Sequence, residues 1–360
     1  MALRIFRGLL LAVALLTVAP ILLQAAETVN DQLLMAKKPA RYLSEYGLFL
    51  DKPARMPNAR VISYDLNNPL FTDYAQKFRY IYMPENSVPA PYNESDVIEF
   101  PVGSVLIKTF AYPQDFRSPG KNIRFIETRL LVRKKEGWKA YPYVWNADQS
   151  DAKLKVAGKR IPVSVIWEDG SKGTVDYAVP NMNQCKGCHV NALKEFAPIG
   201  PKVRNLNRMH NSDAGRGRNQ IAYLRDLGFI DGGPDKASDM PKVPEPFTVS
   251  DGNLFDRSRS YLDGNCAHCH SPGRPADTSG LYLNFEENRE IHWGVNKPPI
   301  AAGRGSGGHL VDIKPGHPDQ SILLFRMQST DPDIMMPELG RSLIHKEGIK
   351  LIEDFIKALD

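Results

Sequence analysis

The stretch RFIETRLLVRKKEGWKAYPYVW, Arg124–Trp145, decides how the first half of the chain folds. From Arg124 to Lys134 apolar and polar residues alternate with period two. After a Glu136-Gly137 turn, Trp138–Trp145 reads as the partner strand. Outward from this pair, Asp96–Tyr112 mixes β-branched and aromatic residues around a Pro-Val-Gly break. Val163–Trp167 and Thr174–Ala178 flank EDGSKG, a hairpin signal. Residues 27–180 therefore predict an antiparallel β-sandwich-like domain or open barrel. This run contains no His or Cys, so it offers neither imidazole nor thiolate to a metal. Its aromatics, among them Phe49, Tyr64, Phe71, Tyr74, Trp138 and Trp145, read as sheet core rather than as the lining of a ligand groove.

Beyond Pro180 the pattern changes. All four cysteines fall in two C-x-x-C-H units: Cys185, Cys188 and His189 in NQCKGCH, and Cys266, Cys269 and His270 in YLDGNCAHCHSP. C-x-x-C-H is the attachment signature of c-type haem. Two thiols add to the porphyrin vinyl groups and the next residue's imidazole ligates the iron. A disulfide or thiol redox pair and a shared zinc ion are the alternatives. Neither needs a histidine after both second cysteines.

NMNQCKGCH follows directly on a predicted strand. Polar, Gly-rich sequence comes next, then a helix over Asn219–Phe229 that stops near Gly228. Pro234, Pro241, Pro244 and Pro246 mark a linker. Residues 181–248 are thus a short first haem segment that leans on the β domain. From Val249 to the end, Asp251–Leu262, Ser321–Met327 and Ser342–Leu359 read as helices, the last with Ile349, Ile352, Phe355, Ile356 and Leu359 at helical spacing. Short strands are expected at Leu281–Phe285 and Ile291–Trp293. The expected fold class is α+β: an N-terminal antiparallel β domain, a short haem segment, and a C-terminal all-α cytochrome c domain over 249–360 with the second haem.

Met336, just before Pro337 in DIMMPELG, is the expected sixth ligand of the second iron, with Met335 and Met327 as alternatives. The first iron has weaker offers in Met209, His210 and Met240. A five-coordinate first iron is the other outcome. His268 sits between two cysteines and is not expected to ligate. Arg204, Arg208, Arg216 and Arg218 cluster after the first unit, where they pair with haem propionates or form a solvated basic loop.

The formal charge of +5, with acids and bases mixed throughout, argues against nucleic acid as a partner. Arg4 and Arg7 precede an apolar run from Gly8 to Leu23 and the small residues Ala25-Ala26. Residues 1–26 read as a cleaved signal peptide, with no membrane span in the mature chain. Export to the periplasm matches the haem reading, since c-type haem is attached outside the bacterial cytoplasm.

With LSEYGLF, YDLNNPLFTDYAQKFR, FPVGSVLIKTF, ETRLLVRKKEGWKAYPYVWN, QCKGCH, PIGPKVRNLNR, NCAHCHSPGRPADTSGL and MMPELGR in this order, the chain resembles a family of bacterial dihaem c-type cytochromes. The resemblance implies two covalent haems held by Cys185, Cys188, Cys266 and Cys269, iron ligation by His189 and His270, and support for Met336. It also implies an exported electron carrier that exchanges electrons with a redox partner, for some members beside a parallel β-helix protein. The competing expectation is a peroxidase-like dihaem enzyme with an open first iron. A β domain that binds carbohydrate or a partner protein is a third.

Overall fold

The computed structural model describes residues 28–51, 56–212 and 215–359. The expected signal peptide, residues 1–26, lies outside them. No helix among the described residues is long and apolar enough to cross a membrane.

After a short helix, α1 (Asp31–Met35), the chain builds a six-stranded antiparallel sheet from β1 (Val61–Ser63), β2 (Gln76–Tyr82), β4 (Val105–Pro113), β5 (Ile123–Lys134), β6 (Gly137–Trp145) and β7 (Ala152–Leu154), in that spatial order. The short β3 (Ala90–Pro91) pairs in parallel with the distant β10 (Ile230–Asp231). A hairpin of β8 (Lys159–Ile166) and β9 (Lys172–Val179) stands apart as its own two-stranded sheet. The period-two alternation sorts side chains onto two faces. On one face Tyr80, Tyr82, Val105, Ile107, Leu130, Val132, Tyr141 and Tyr143 bury against the N-terminal segment, through Leu34, Leu43, Tyr46 and Leu48. The other face divides into two apolar patches. Ile81, Leu106, Leu131, Trp138 and Ala140 pack under the segment after Pro180. Phe110, Tyr112 and Val144 pack under the β8–β9 hairpin.

The C-terminal expectation fails. The protein is predominantly an antiparallel β-sheet protein, and no large all-α cytochrome c domain forms over residues 249–360, so the α+β class with such a domain is withdrawn. The described helices are short, none longer than 12 residues. Before residue 249 they are α2 (Met182–Cys188), α3 (Val203–Leu206) and α4 (Gln220–Asp226). The last third holds α5 (Leu254–Asn265), α6 (Glu290–Trp293), α7 (Ile322–Gln328) and α8 (Lys346–Lys357), joined by long irregular runs. Only α5 and α8 exceed two turns, and the Pro- and Gly-rich sequence between them cannot propagate helix. Neither predicted short strand forms. Tyr282 and Leu283 give their N–H groups to the carbonyls of His292 and His270, at 2.6 and 2.8 Å, and Ile291–Trp293 lies within α6, closed by Gly294 at φ +107°.

What joins the last third to the sheet is the β1–β2 connection, residues 64–75. Asn67 donates from its backbone to the Asn205 carbonyl at 2.9 Å. Asn68 is committed on both sides: its N–H goes to Asn205 Oδ1 at 2.8 Å and its Nδ2 to the Ser260 carbonyl. The Phe71 N–H goes to Asn265 Oδ1 at 2.8 Å. Asp73 accepts from the backbone N–H groups of Ser342 and Leu343, both at 2.7 Å, and from the Ser342 hydroxyl at 2.9 Å. One connection thereby satisfies backbone groups on α3, α5 and the approach to α8. Gly264 inside α5 is explained by the same contact. A Cβ there would stand 2.2 Å from Asn68 Nδ2, so the helix accepts a glycine worth about 1 kcal/mol less than alanine. The proline-marked linker is likewise packed. Val243 donates to the Arg204 carbonyl at 2.9 Å, and the Pro244 carbonyl accepts from Ser260 Oγ at 2.7 Å.

A buried ion pair reinforces this joint. Arg204 Nη2 meets Asp263 Oδ1 at 3.0 Å, with both side chains at most 5% exposed. The Lys202 and Arg204 cations hold the Asp263 carboxyl below its usual range despite burial. Asp263→Ala leaves Arg204 with the half-exposed Glu286 and the Ser95 carbonyl as partners. It is expected to cost about 3–5 kcal/mol, read as a lower urea midpoint. Lys350→Ala, which breaks a surface pair with Asp354, should cost under about 0.5 kcal/mol. Equal midpoints for the two variants would remove the joint assigned to Arg204 and Asp263.

Candidate cofactor site

The first C-x-x-C-H unit lies on α2, which begins with Asn181 accepting from the N–H groups of Asn183 and Gln184. The unit follows directly on a strand, as the sequence predicts, since β9 ends at Val179; a seven-residue helix carries it. Cys185, on its inner side, is buried in the same core as Leu131, Trp138 and Ala140. The second unit lies at the C-terminal end of α5, where Cys266 closes the helix by donating its N–H to the Leu262 carbonyl at 2.9 Å.

The two units touch. Cys188, His268 and Cys269 bring their ligand atoms within 4.8 Å of one another. Around this contact, Arg274 Nη1 donates to the Val190 carbonyl and Lys194 Nζ to the Gly273 carbonyl, both at 2.8 Å. The loop bearing Met336 reaches the same place, since Leu339 Cδ1 would lie 3.3 Å from a Cβ on Gly187. Its backbone is held from both sides. The Met336 N–H donates to the Arg326 carbonyl at 3.1 Å, and Arg341 Nη2 donates to the Met336 carbonyl at 2.8 Å.

Both expected proximal histidines are oriented alike. His189 Nδ1 bonds the Ala197 carbonyl at 2.9 Å, and its ring stacks on Phe196. His270 Nδ1 faces Ser279 Oγ at 3.4 Å. Nε2 of each makes no hydrogen bond among the described residues, which is how a metal-binding imidazole is prepared. Burial pushes His189 down to about 3, with the Ala197 bond opposing it and the Arg129 and Lys108 charges adding to it. Burial likewise pushes His270 down to about 4. Both rings are neutral near pH 7, the form a metal accepts.

Of the residues offered to the first iron, Met209 is 55% exposed and lines a surface cleft of about 260 Å³ with Arg208 and Glu245, apart from both units. His210 is buried with both nitrogens engaged: Nε2 bonds the Ser63 carbonyl at 2.8 Å and Nδ1 accepts from Ser212. Met240 is buried in the core beside α3 and α4. None is aimed at a free position. The arginines offered to propionates are also committed elsewhere. Arg204 pairs with Asp263 and Glu286, Arg208 with Glu245, and Arg218 with Asp226.

Sequence reasoning missed a row of cations on the sheet face beneath α2. Arg79, Lys108 and Arg129 are direct cross-strand partners on β2, β4 and β5, with Lys77 on the same face two residues from Arg79. Their signal was visible as charges at period-two positions where apolar residues belong. Glu127 answers one of them, taking Arg129 at 2.8 Å through both oxygens and also accepting from Tyr177 at 2.7 Å. Arg79 is 7% exposed and its Nη2 has no partner. Burial, then the Arg79, Lys77 and Arg129 charges, push Lys108 well below the usual lysine range, and burial with Arg79 takes Lys77 down to about 7. Like charges side by side on a half-buried face repel more strongly than they would in water, so the row calls for an anion.

The cluster of Cys188, His268 and Cys269 falls one ligand short of a structural zinc site, and Cys185 lies in the apolar core. No disulfide joins the four cysteines. No family model, curated protein or solved structure matches the chain.

The thiols differ in a way that can be measured on haem-free chain. The Cys269 thiol, then the His268 ring, hold the Cys188 thiol far below the usual range. Burial raises Cys185, and burial with the Asp263 charge pushes Cys266 up to about 12. At pH 6, iodoacetamide should therefore label Cys188 at least tenfold faster than Cys185 or Cys266, counted by peptide mass spectrometry. Uniform labelling of the folded chain would contradict the contact between the units.

Proposed function

We propose that the chain belongs to the class of c-type haem proteins, with haem held by Cys185 and Cys188 and a second haem by Cys266 and Cys269. Its particular work is electron transfer: a periplasmic dihaem carrier that passes electrons to or from a partner redox protein. The family resemblance suggests a parallel β-helix protein as one neighbour. The observation that carries this reading is the contact of Cys188 with Cys269. The second cysteine of each unit stands at one joint, so the two attachment points are adjacent without any motion of the chain. Each haem, when bound, supplies an iron that cycles between two oxidation states.

The residues have defined tasks in this scheme. His189 and His270 offer Nε2 to iron, and their Nδ1 contacts fix ring orientation and favour the neutral tautomer. Met336 is the sixth ligand proposed for the second iron. Arg341 and the Arg326 carbonyl hold its backbone in place, and a thioether ligand raises the potential relative to a second imidazole. A dihaem enzyme with an open first iron is the second reading. It is favoured by two observations, that Met209 is exposed on a surface cleft and that His210 has both ring nitrogens engaged.

A pyridine haemochrome assay on the purified exported chain should give two covalent haems per chain, and the oxidised spectrum should be low-spin throughout. One haem or none removes the proposal. A high-spin component that responds to cyanide or peroxide selects the enzyme. In a separate test, Met336→Ala should abolish the near-infrared methionine-to-iron band and lower one midpoint potential, whereas Met335→Leu, a change within the core, should leave the band. A band that survives Met336→Ala reassigns the ligand.

A further inference from the structure

We propose that the cationic row Lys77–Arg79–Lys108 on the central sheet is a carboxylate site that seats the propionates of the first haem, an inference that rests on the dihaem reading above. The case begins with what the row lacks. Four cations share one sheet face and Glu127 is committed to Arg129 through both oxygens, at 2.8 Å each. Lys77 Nζ reaches only the Ala75 carbonyl at 3.2 Å, and Arg79 Nη1 only the Lys77 carbonyl at 3.4 Å. Lys108 Nζ makes no hydrogen bond among the described residues and rests over the Phe110 ring, 4.7 Å from its centre. Arg79 is buried with its Nη2 unpartnered, and the half-buried Lys77 and Lys108 meet no carboxylate among the described residues.

The place of the row selects the ligand. Arg129, at one end, acts on Cys185, Cys188 and His189 electrostatically, and Lys108 acts on His189. Arg79 and Lys77 lie two strands further on, about 10 Å across the sheet. A group fixed at one edge by Cys185 and Cys188 and carrying carboxylates on its opposite edge spans that distance. The apolar patches on either side of the row, Leu106 with Leu131 and Phe110 with Tyr112, suit the rest of such a ligand. Beyond the pair of Arg129 with Glu127 the row offers three basic side chains, Lys77, Arg79 and Lys108, to two carboxylates, and bound carboxylates would favour the protonated form of both lysines.

The experiment reads chains that carry two haems, by redox titration and by the propionate-bending band in resonance Raman spectra. Lys108→Met should lower one of the two midpoint potentials, leave the other unchanged and shift the propionate band. Lys108→Arg should keep wild-type values. Arg79→Gln gives the same readout if the Lys108→Met chain fails to fold. Unchanged potentials and an unchanged band in both charge-removing variants overturn the proposal. Citrate added to wild-type protein tests a free carboxylate as occupant. No effect on the potentials is expected, and a saturating shift that Lys108→Met abolishes would transfer the site to a soluble anion. Fewer than two haems on wild-type protein would instead strike the underlying dihaem reading.

Discussion

A cation taken out of water must find an anion, and the face of the central sheet carries more cations than the chain can answer. Arg79, Lys108 and Arg129 stand side by side across three strands, and Glu127 neutralises one. The layout of the surrounding structure follows from where this band lies. It divides one sheet face into two separate apolar patches, so two different covers are needed. The β8–β9 hairpin takes one, and α2, α3 and α4 take the other. A continuous apolar face would have allowed a single cover, as on the opposite side, where the N-terminal segment suffices.

The second constraint is that the last third of the chain does not stand alone. Its longest helices, α5 and α8, share a core with Leu283, Trp293 and Leu324, but polar groups along α5 and just before α8 are answered by the β1–β2 connection. Asn68 and the Phe71 N–H serve α5, and Asp73 serves the approach to α8. The helix ends themselves are closed locally, α5 by Asn253 at its start and Cys266 at its end, so the sheet fixes where these elements lie rather than whether they form.

The sequence made some of this readable and concealed the rest. Strands β5 and β6 were legible because alternation and the Glu136-Gly137 turn are local signals, and β8–β9 for the same reason. The helices α4, α5, α7 and α8 were legible from apolar spacing and caps. Elements fixed by distant partners were not. Leu281–Phe285 has strand-like composition, yet its N–H groups go to loop carbonyls. The arginines after the first unit looked free because their acids, Asp263 and Glu245, are far away in sequence. The face that carries Lys77, Arg79 and Lys108 was not recognised, since alternation shows that two faces differ but not that both are covered. The same blindness hid the meeting of Cys188 with Cys269, which depends on docking across the linker.

That meeting has a physical consequence for how the two units behave together. Their spacing is set by main-chain acceptors rather than by flexible side-chain pairs: Arg274 holds the Val190 carbonyl and Lys194 the Gly273 carbonyl. Gly273, at φ +74°, approaches so closely that a Cβ would lie 3.0 Å from Ala192 Cβ, and Gly187 leaves similar room for Leu339. Small residues on both sides therefore allow backbone to come close to backbone. Any charge placed on one unit is felt by the other through buried protein of low effective dielectric. Two redox groups attached there would not titrate independently: oxidising the first would raise the potential of the second, with the linkage fixed by the fold rather than by a moving loop.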